Sequence, residues 1–376
     1  MTCHKGGSEG VWKYRWLHLT VMQPIQKQRN SNLELYRIIV MLLIVSHHYV
    51  VNSGLMPVLD NEPISAKSLF LYVFGMWGKT GINCFVLITG YFMCKSSITL
   101  RKFLKLFLEV EFYNIVIFAI FVGSGYQDFS IKELMFKLFP LRMVETNFTG
   151  CFLWFYLCIP FLTVLVSHMD KRQHGLLVLL YFGIYTMTST LPGCMVTMNY
   201  VSWFCVLFFI ASYIRLYGLL PRLSTSKWGG ITLICMLVSI CAVFVAVYAH
   251  HHLGKQIGAY SPVTDSNKFL AVVTSVSAFM YFKDLKMKHH KWINTIAAST
   301  FGVLMIHANS DTMRQWLWKD VVDCAASYQL PCACLYAIGS VLAIFAICIL
   351  IDYIRIHTLE KWTFRYLDRY LPKSTK

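Results

Sequence analysis

Asn30-Ser31-Asn32-Leu33-Glu34-Leu35-Tyr36-Arg37, running on into Ile38-Ile39-Val40-Met41-Leu42-Leu43-Ile44-Val45-Ser46-His47-His48-Tyr49, is the stretch on which the fold turns. A membrane crossing needs ~20 mostly apolar residues to cover a ~30 Å hydrocarbon core, and 36–55 supplies one. Nine more such runs follow, centred on 69–93, 104–125, 150–167, 175–190, 201–217, 229–249, 268–282, 293–308 and 333–354. The expected fold class is therefore all-α, a polytopic membrane protein with about ten transmembrane helices. Runs this long do not alternate with period two, which argues against a β-barrel. The second run is interrupted by Gly75, Gly78, Lys79 and Gly81. Such breaks are tolerated where they face protein or a wet cavity rather than lipid.

The whole composition agrees. Of 376 residues, 57% are hydrophobic and 14% charged, with mean hydropathy +0.55. A soluble domain carries nearer ~25% charge, and 27 Phe, 21 Tyr and 10 Trp exclude a disordered chain. The formal charge of +16 would suggest nucleic acid in a soluble protein. On an apolar chain it sets orientation instead, and no nucleic-acid partner is expected.

With the N-terminus in the cytoplasm, the ten-span map puts 25 of the 34 Lys and Arg on the cytoplasmic side. That satisfies the positive-inside rule, which counts basic residues and largely ignores acids. Both termini are expected in the cytoplasm of a multi-pass plasma-membrane protein. The expected domains are an N-terminal cytoplasmic extension (1–28), a transmembrane domain (29–356) and a basic C-terminal tail (357–376). Residues 1–26 lack the basic, apolar, small-residue order of a signal peptide, and Met22 is an alternative start.

Polarity inside the first run is unusual. Glu34 and Arg37 are three apart and can pair along a helix. Arg37 and His48 are eleven apart, which puts them on one helical face about 16 Å apart along the axis, with His47 about 80° away. His48 then lies near mid-bilayer, where ionisable residues are costly and mark functional sites. Lys79, Thr80 and Asn83, at the break in the second run, cannot comfortably face lipid. Leu100-Arg101-Lys102-Phe103-Leu104-Lys105 starts the third run with three cations able to converge on a phosphorylated ligand.

Several motifs agree, in order, with one known family. Asn30–Tyr49, an Arg followed after ten residues by His, resembles the start of the membrane acyltransferase-3 family. Trp77-Gly78-Lys79-Thr80-Gly81 through Phe85-Val86-Leu87-Ile88-Thr89-Gly90-Tyr91-Phe92 resembles that family's second-span signature, with Thr89 where Ser is usual. Arg101-Lys102-x-x-Lys105 resembles its Arg-Arg-x-x-Arg loop, and Trp203–Tyr217 and Ser299–His307 resemble later stretches. The match runs from about residue 29 to 355.

The resemblance implies an integral-membrane O-acyltransferase. Such enzymes move an acyl group, commonly acetyl, from cytoplasmic acyl-CoA to a hydroxyl of a cell-surface glycan or its lipid-linked precursor. It makes His48 catalytic, with Arg37 and its neighbour Glu34 in support, and gives Arg101, Lys102 and Lys105 the CoA phosphates. The co-substrate is then acyl-CoA, acetyl-CoA foremost, with no tightly bound cofactor; lipid and the glycan acceptor complete the partners. The chemistry is consistent, since taking a proton from a sugar hydroxyl suits His at neutral pH. A covalent acyl-histidine is the other possibility. Lys79 or Asn83 is placed to stabilise an oxyanion, and His307, toward the outer end of the ninth run, to orient the acceptor or cap its helix.

Other signals carry less. No metal site is expected: Cys332-Ala333-Cys334 is poor ligand spacing, and His250-His251-His252 reads as a solvated loop. Cys324, Cys332 and Cys334 share an outer loop where a disulfide could form. Asp311, Arg314, Trp316 and Trp318 suggest an interfacial helix anchored by its tryptophans. The rival class is a transporter or flippase for glycans or lipid-linked precursors, although no repeat of one half by the other is evident.

Overall fold

The computed structural model describes residues 29–142, 148–191, 193–194, 196–253 and 257–370. The expected N-terminal extension, with Met22, lies outside the described residues, as do the last six residues of the tail. Among those described there is no β-strand.

The first run becomes α1 (Ser31–Val51), followed by the short α2 (Leu55–Asn61). The second run is split where its glycines lie, into α3 (Ala66–Gly75) and α4 (Gly78–Met93). Next come α5 (Leu100–Gly123), α6 (Ile131–Leu138) and α7 (Phe148–Ser167). α8 (Lys171–Tyr181) passes through a π-turn at Phe182–Met187 into α9 (Thr188–Thr190). α10 (Tyr200–Tyr217), α11 (Thr225–Leu253) and α12 (Phe269–Asp284) precede the pair α13 (Lys291–Ala298) and α14 (Thr300–His307), hinged at Ser299. Two single turns follow, α15 (Asp311–Arg314) and α16 (Cys324–Ser327). α17 (Ala333–Arg355) then continues through a π-turn at Ile356–Glu360 into α18 (Lys361–Leu367).

Seven helices among the described residues are long and apolar enough to cross a membrane; α3–α4 counts as one and α17–α18 as another. The other three expected crossings are helical but fall outside that set. α12 has 16 residues, about 24 Å of helix; α13–α14 is broken at Ser299, and α8–α9 contains the π-turn. The chain is a multi-pass, all-α membrane protein.

Polar residues at the helix starts fix the ends. Ser65 and Ser68 form a capping box, and Thr99 accepts from the Lys102 amide at the head of α5. Asp170 and Gln173 do the same for α8, and Asn199 caps α10. Asn32 works across the fold: its amide donates to the Phe282 and Lys283 carbonyls, each at 2.9 Å, closing the C-terminal end of α12.

α4 is the central element: the α3–α4 span is 78% buried against 22% for α11, which faces outward. It packs on α1, α10 and α12, and small residues set the approach. A Cβ at Gly78 would lie 2.2 Å from the His47 ring, and one at Gly81 2.9 Å from Ile44 Cγ1. Gly90 meets the Phe208 backbone and Ala211 on α10 as closely. Close backbone approach through small residues is how helices gain dispersion energy in lipid.

α5, α14 and α17 are joined by a buried charge cluster. Arg355 binds Glu109 (2.9 Å), Asp352 (2.8 Å) and Glu360 (3.1 Å), and Tyr113 donates to Asp352 at 2.8 Å. Lys105 also pairs with Glu360. A Cβ at Gly302 would sit 2.2 Å from Asp352 Oδ1, so α14 lies directly against that carboxylate.

Two sequence expectations are corrected here. His250–His252 form the last turn of α11, not a loop. Trp318 is fully buried against Tyr49 and His307 rather than anchored at an interface. Beyond residue 356, α18 docks beside α5, where Arg101 makes a bidentate pair with Asp368 (2.8 and 3.0 Å). That hydrogen bond holds the Asp368 carboxyl below its usual range. Cys324, Cys332 and Cys334 are not joined by a disulfide.

Candidate active site

α1 and α5 both begin at one face, with the cluster of Arg29, Arg37, Arg101, Lys102 and Lys105; we call it the basic face. α1 reaches the opposite face near His48, three residues before its C-terminal end.

The core of the site is a chain of hydrogen bonds. His48 Nδ1 lies 2.9 Å from His307 Nε2, and His307 Nδ1 lies 2.6 Å from the Val303 carbonyl. A carbonyl only accepts, so in the neutral ring His307 carries its proton on Nδ1. Its Nε2 is then a lone pair, and His48 must donate to it from Nδ1. That leaves the lone pair of His48 on Nε2, the tautomer a general base requires. The Trp318 ring stands edge-on to His307, with centroids 6.2 Å apart, and holds it from behind. His47 is used differently: its Nδ1 bonds the Gly75 carbonyl at 2.6 Å, where α3 ends.

His48 and His47 line a cavity of about 450 Å³, with Lys79, Tyr200, Tyr260 and Arg314. Lys79 Nζ donates to the Tyr200 hydroxyl at 2.7 Å. Asn83 does not line this cavity. Its amide donates to the Ser266 carbonyl (2.6 Å) and accepts from Trp203 Nε1 (2.9 Å), so it ties α4 to α10 and the loop before α12.

A second cavity, about 340 Å³, opens at the basic face. Arg29, Arg37, Lys102, Lys105 and Glu109 line it. Arg37 pairs with Glu34 at 2.8 Å, and so belongs to this cavity rather than to the surroundings of His48. Lys102 donates to the neutral oxygens of Ser96 and Ser97, both at 2.7 Å, and keeps its whole charge for an anion. Arg101 is not in this wall; it faces Asp368 and Phe364. Arg29, which enters the wall from just before α1, was not singled out in the sequence. The cation-rich region before Arg37 was its only signal.

Phe85 borders both cavities. Its ring packs on Phe148, Phe152 and Phe301, with centroids 5.9 to 6.5 Å apart. This aromatic septum divides the basic cavity from the histidine cavity. Among the described residues no group of three or more His, Cys, Asp or Glu is arranged to hold a metal ion.

A histidine-lined cavity and a cation-lined cavity thus meet at the Phe85 septum inside the bundle. Residues 30–364 match the family model described as an acyltransferase domain, and the chain belongs to the membrane acyltransferase-3 family. No curated protein and no solved structure matches it. It is accordingly a membrane acyltransferase.

Proposed function

We propose that this protein is an O-acyltransferase that moves an acyl group, acetyl foremost, from acyl-CoA to a hydroxyl of a cell-surface polysaccharide or its lipid-linked precursor. The observation that carries the reading is the His48–His307–Val303 chain, which leaves His48 Nε2 as a free base in a cavity within the bundle. In this reading the basic face is cytoplasmic, the membrane is the plasma membrane, and both termini lie in the cytoplasm. The 25 basic residues on that side support it.

The donor set of the basic cavity suits CoA, whose phosphates need several cations; Arg29, Arg37, Lys102 and Lys105 supply them. The thioester arm extends past the aromatic septum toward His48. His48 Nε2 takes the proton of the acceptor hydroxyl as its oxygen bonds to the thioester carbonyl carbon. The oxyanion that forms lies within reach of the Lys79 ammonium. Its collapse breaks the carbon–sulfur bond, and His48 returns the proton to the departing thiolate. The products are the O-acyl glycan and free CoA, and every proton is accounted for.

The test is His48→Ala in native membranes, with surface-glycan acetylation read by mass spectrometry. Acetylation is expected to fall by 10²-fold or more, the usual contribution of a positioned base. Acetylation at the wild-type level would overturn the reading and favour a transporter. Lys102→Ala is expected to raise the KM for acetyl-CoA about tenfold, the value of a charge-assisted hydrogen bond, with kcat little changed.

A further inference from the structure

A third cavity, about 330 Å³, lies beyond the histidine cavity, where α5 ends and α14 gives way to α15. Asn114, Gln127, Glu133, Lys137, Asn309 and Asp311 line it, and it shares Thr149 and Arg314 with the histidine cavity. We propose that it is the acceptor subsite, and that it holds an uncharged sugar ring beside the hydroxyl presented to His48. This rests on the reading of the activity given above.

Three observations carry it. The first is charge. Glu133 and Asp311 offset Lys137 and Arg314, so the wall has no net charge, whereas the basic cavity gathers four cations. A phosphate or uronate would gain little from such a wall. The second is hydrogen-bonding type. Asn114, Gln127 and Asn309 each offer donors and acceptors on one planar amide, which suits hydroxyls that do both. The third is unmet demand. Asn309 Nδ2 donates to Asn114 Oδ1 at 3.1 Å, but Asn309 Oδ1 and Arg314 Nε are shielded from solvent without a partner. Such atoms are costly to leave unpaired, and a hydroxylated ligand would satisfy both. Phe136, Pro140 and Met305 provide the apolar part of the wall for the ring's C–H face. Arg314, common to both cavities and paired with Asp311 at 2.6 Å, is the element between recognition and chemistry.

The experiment uses membranes containing the full chain, ¹⁴C-acetyl-CoA as donor, and surface glycan from the same cells stripped of its O-acyl groups by mild base as acceptor. Each substrate is titrated in turn for wild type, Asn309→Leu and Glu133→Gln. Glu133 is exposed, so its variant folds even where Asn309→Leu does not. The expected result is an acceptor KM raised about tenfold by Asn309→Leu and severalfold by Glu133→Gln, with the KM for acetyl-CoA unchanged. Label should reside on an uncharged sugar, as read by mass spectrometry of the hydrolysed product. Acceptor KM values within twofold of wild type for both variants, or a shift in donor KM instead, would overturn the subsite. Label on a uronate or phosphorylated sugar would overturn its neutral specificity. If wild-type membranes transfer no label, the activity itself is wrong and the subsite falls with it. That outcome is distinct from a wild type that transfers while the variants match it.

Discussion

His307 and His48 are 259 residues apart in the chain and 2.9 Å apart in space. Each was legible alone in the sequence, as an ionisable ring within an apolar run. Their pairing was not, because spacing within one helix says nothing about which helix lies opposite. In the proposed mechanism the pairing gives His307 a task, to fix the proton on His48 Nδ1. His307→Ala is therefore expected to lower kcat by 10- to 100-fold while leaving the KM for acetyl-CoA alone, and His307→Gln, which can still accept that proton, is expected to recover part of the loss. The check is steady-state kinetics on both variants; equal loss for both would make His307 a packing residue. Asn83 shows the opposite limit of sequence reading. Its polarity inside a broken span is conspicuous, yet both ends of its amide are spent on Ser266 and Trp203.

At the scale of elements, the glycines that interrupt the second run were legible as a break, and the structure gives the break its cause. α1 brings the His47 ring to where a Cβ of residue 78 would stand. Gly78→Ala must push α4 from α1 and is expected to cost about 1–3 kcal/mol, the range for an overpacked core. Gly230, in α11, has nothing within 4 Å of its missing Cβ. Gly230→Ala is expected to be neutral or to stabilise by about 0.5–1 kcal/mol, since glycine is a poor helix former. Thermal unfolding of the two variants in one detergent should move in opposite directions. The π-turn at Phe182–Met187 is not foreseeable, because the apolar pattern passes through it without a Pro or a charged residue. The tenth run stops near 354 by hydropathy, because Arg355, His357 and Glu360 follow it, whereas the helix itself runs on through the π-turn to dock α18 beside α5.

For the whole molecule, sequence length and hydropathy carried the multi-pass architecture, and charge asymmetry supports the proposed orientation. The cluster around Arg355 was invisible to both, since Glu109, Asp352 and Arg355 look like isolated charges near span ends. Together they are the electrostatic joint among α5, α14 and α17. Removing the cation leaves three carboxylates facing each other with Lys105 alone to offset them. Arg355→Met is expected to cost about 3–5 kcal/mol, as for other broken buried ion pairs, and to lower the yield of folded protein on size-exclusion chromatography. A yield equal to wild type would show that the cluster contributes nothing net.

The Phe85 septum has a consequence in the currency of membrane potential. A protein that opens a watery recess to each side of an energised bilayer leaves only its partition to carry the full voltage drop. Four phenylalanine rings form a thin insulator with no polar atom along which protons could hop. Thinning it should turn the enzyme into a leak. Phe85→Ala in proteoliposomes with an entrapped pH dye is expected to collapse an imposed proton gradient faster than wild type. An unchanged decay would mean that the insulation lies elsewhere.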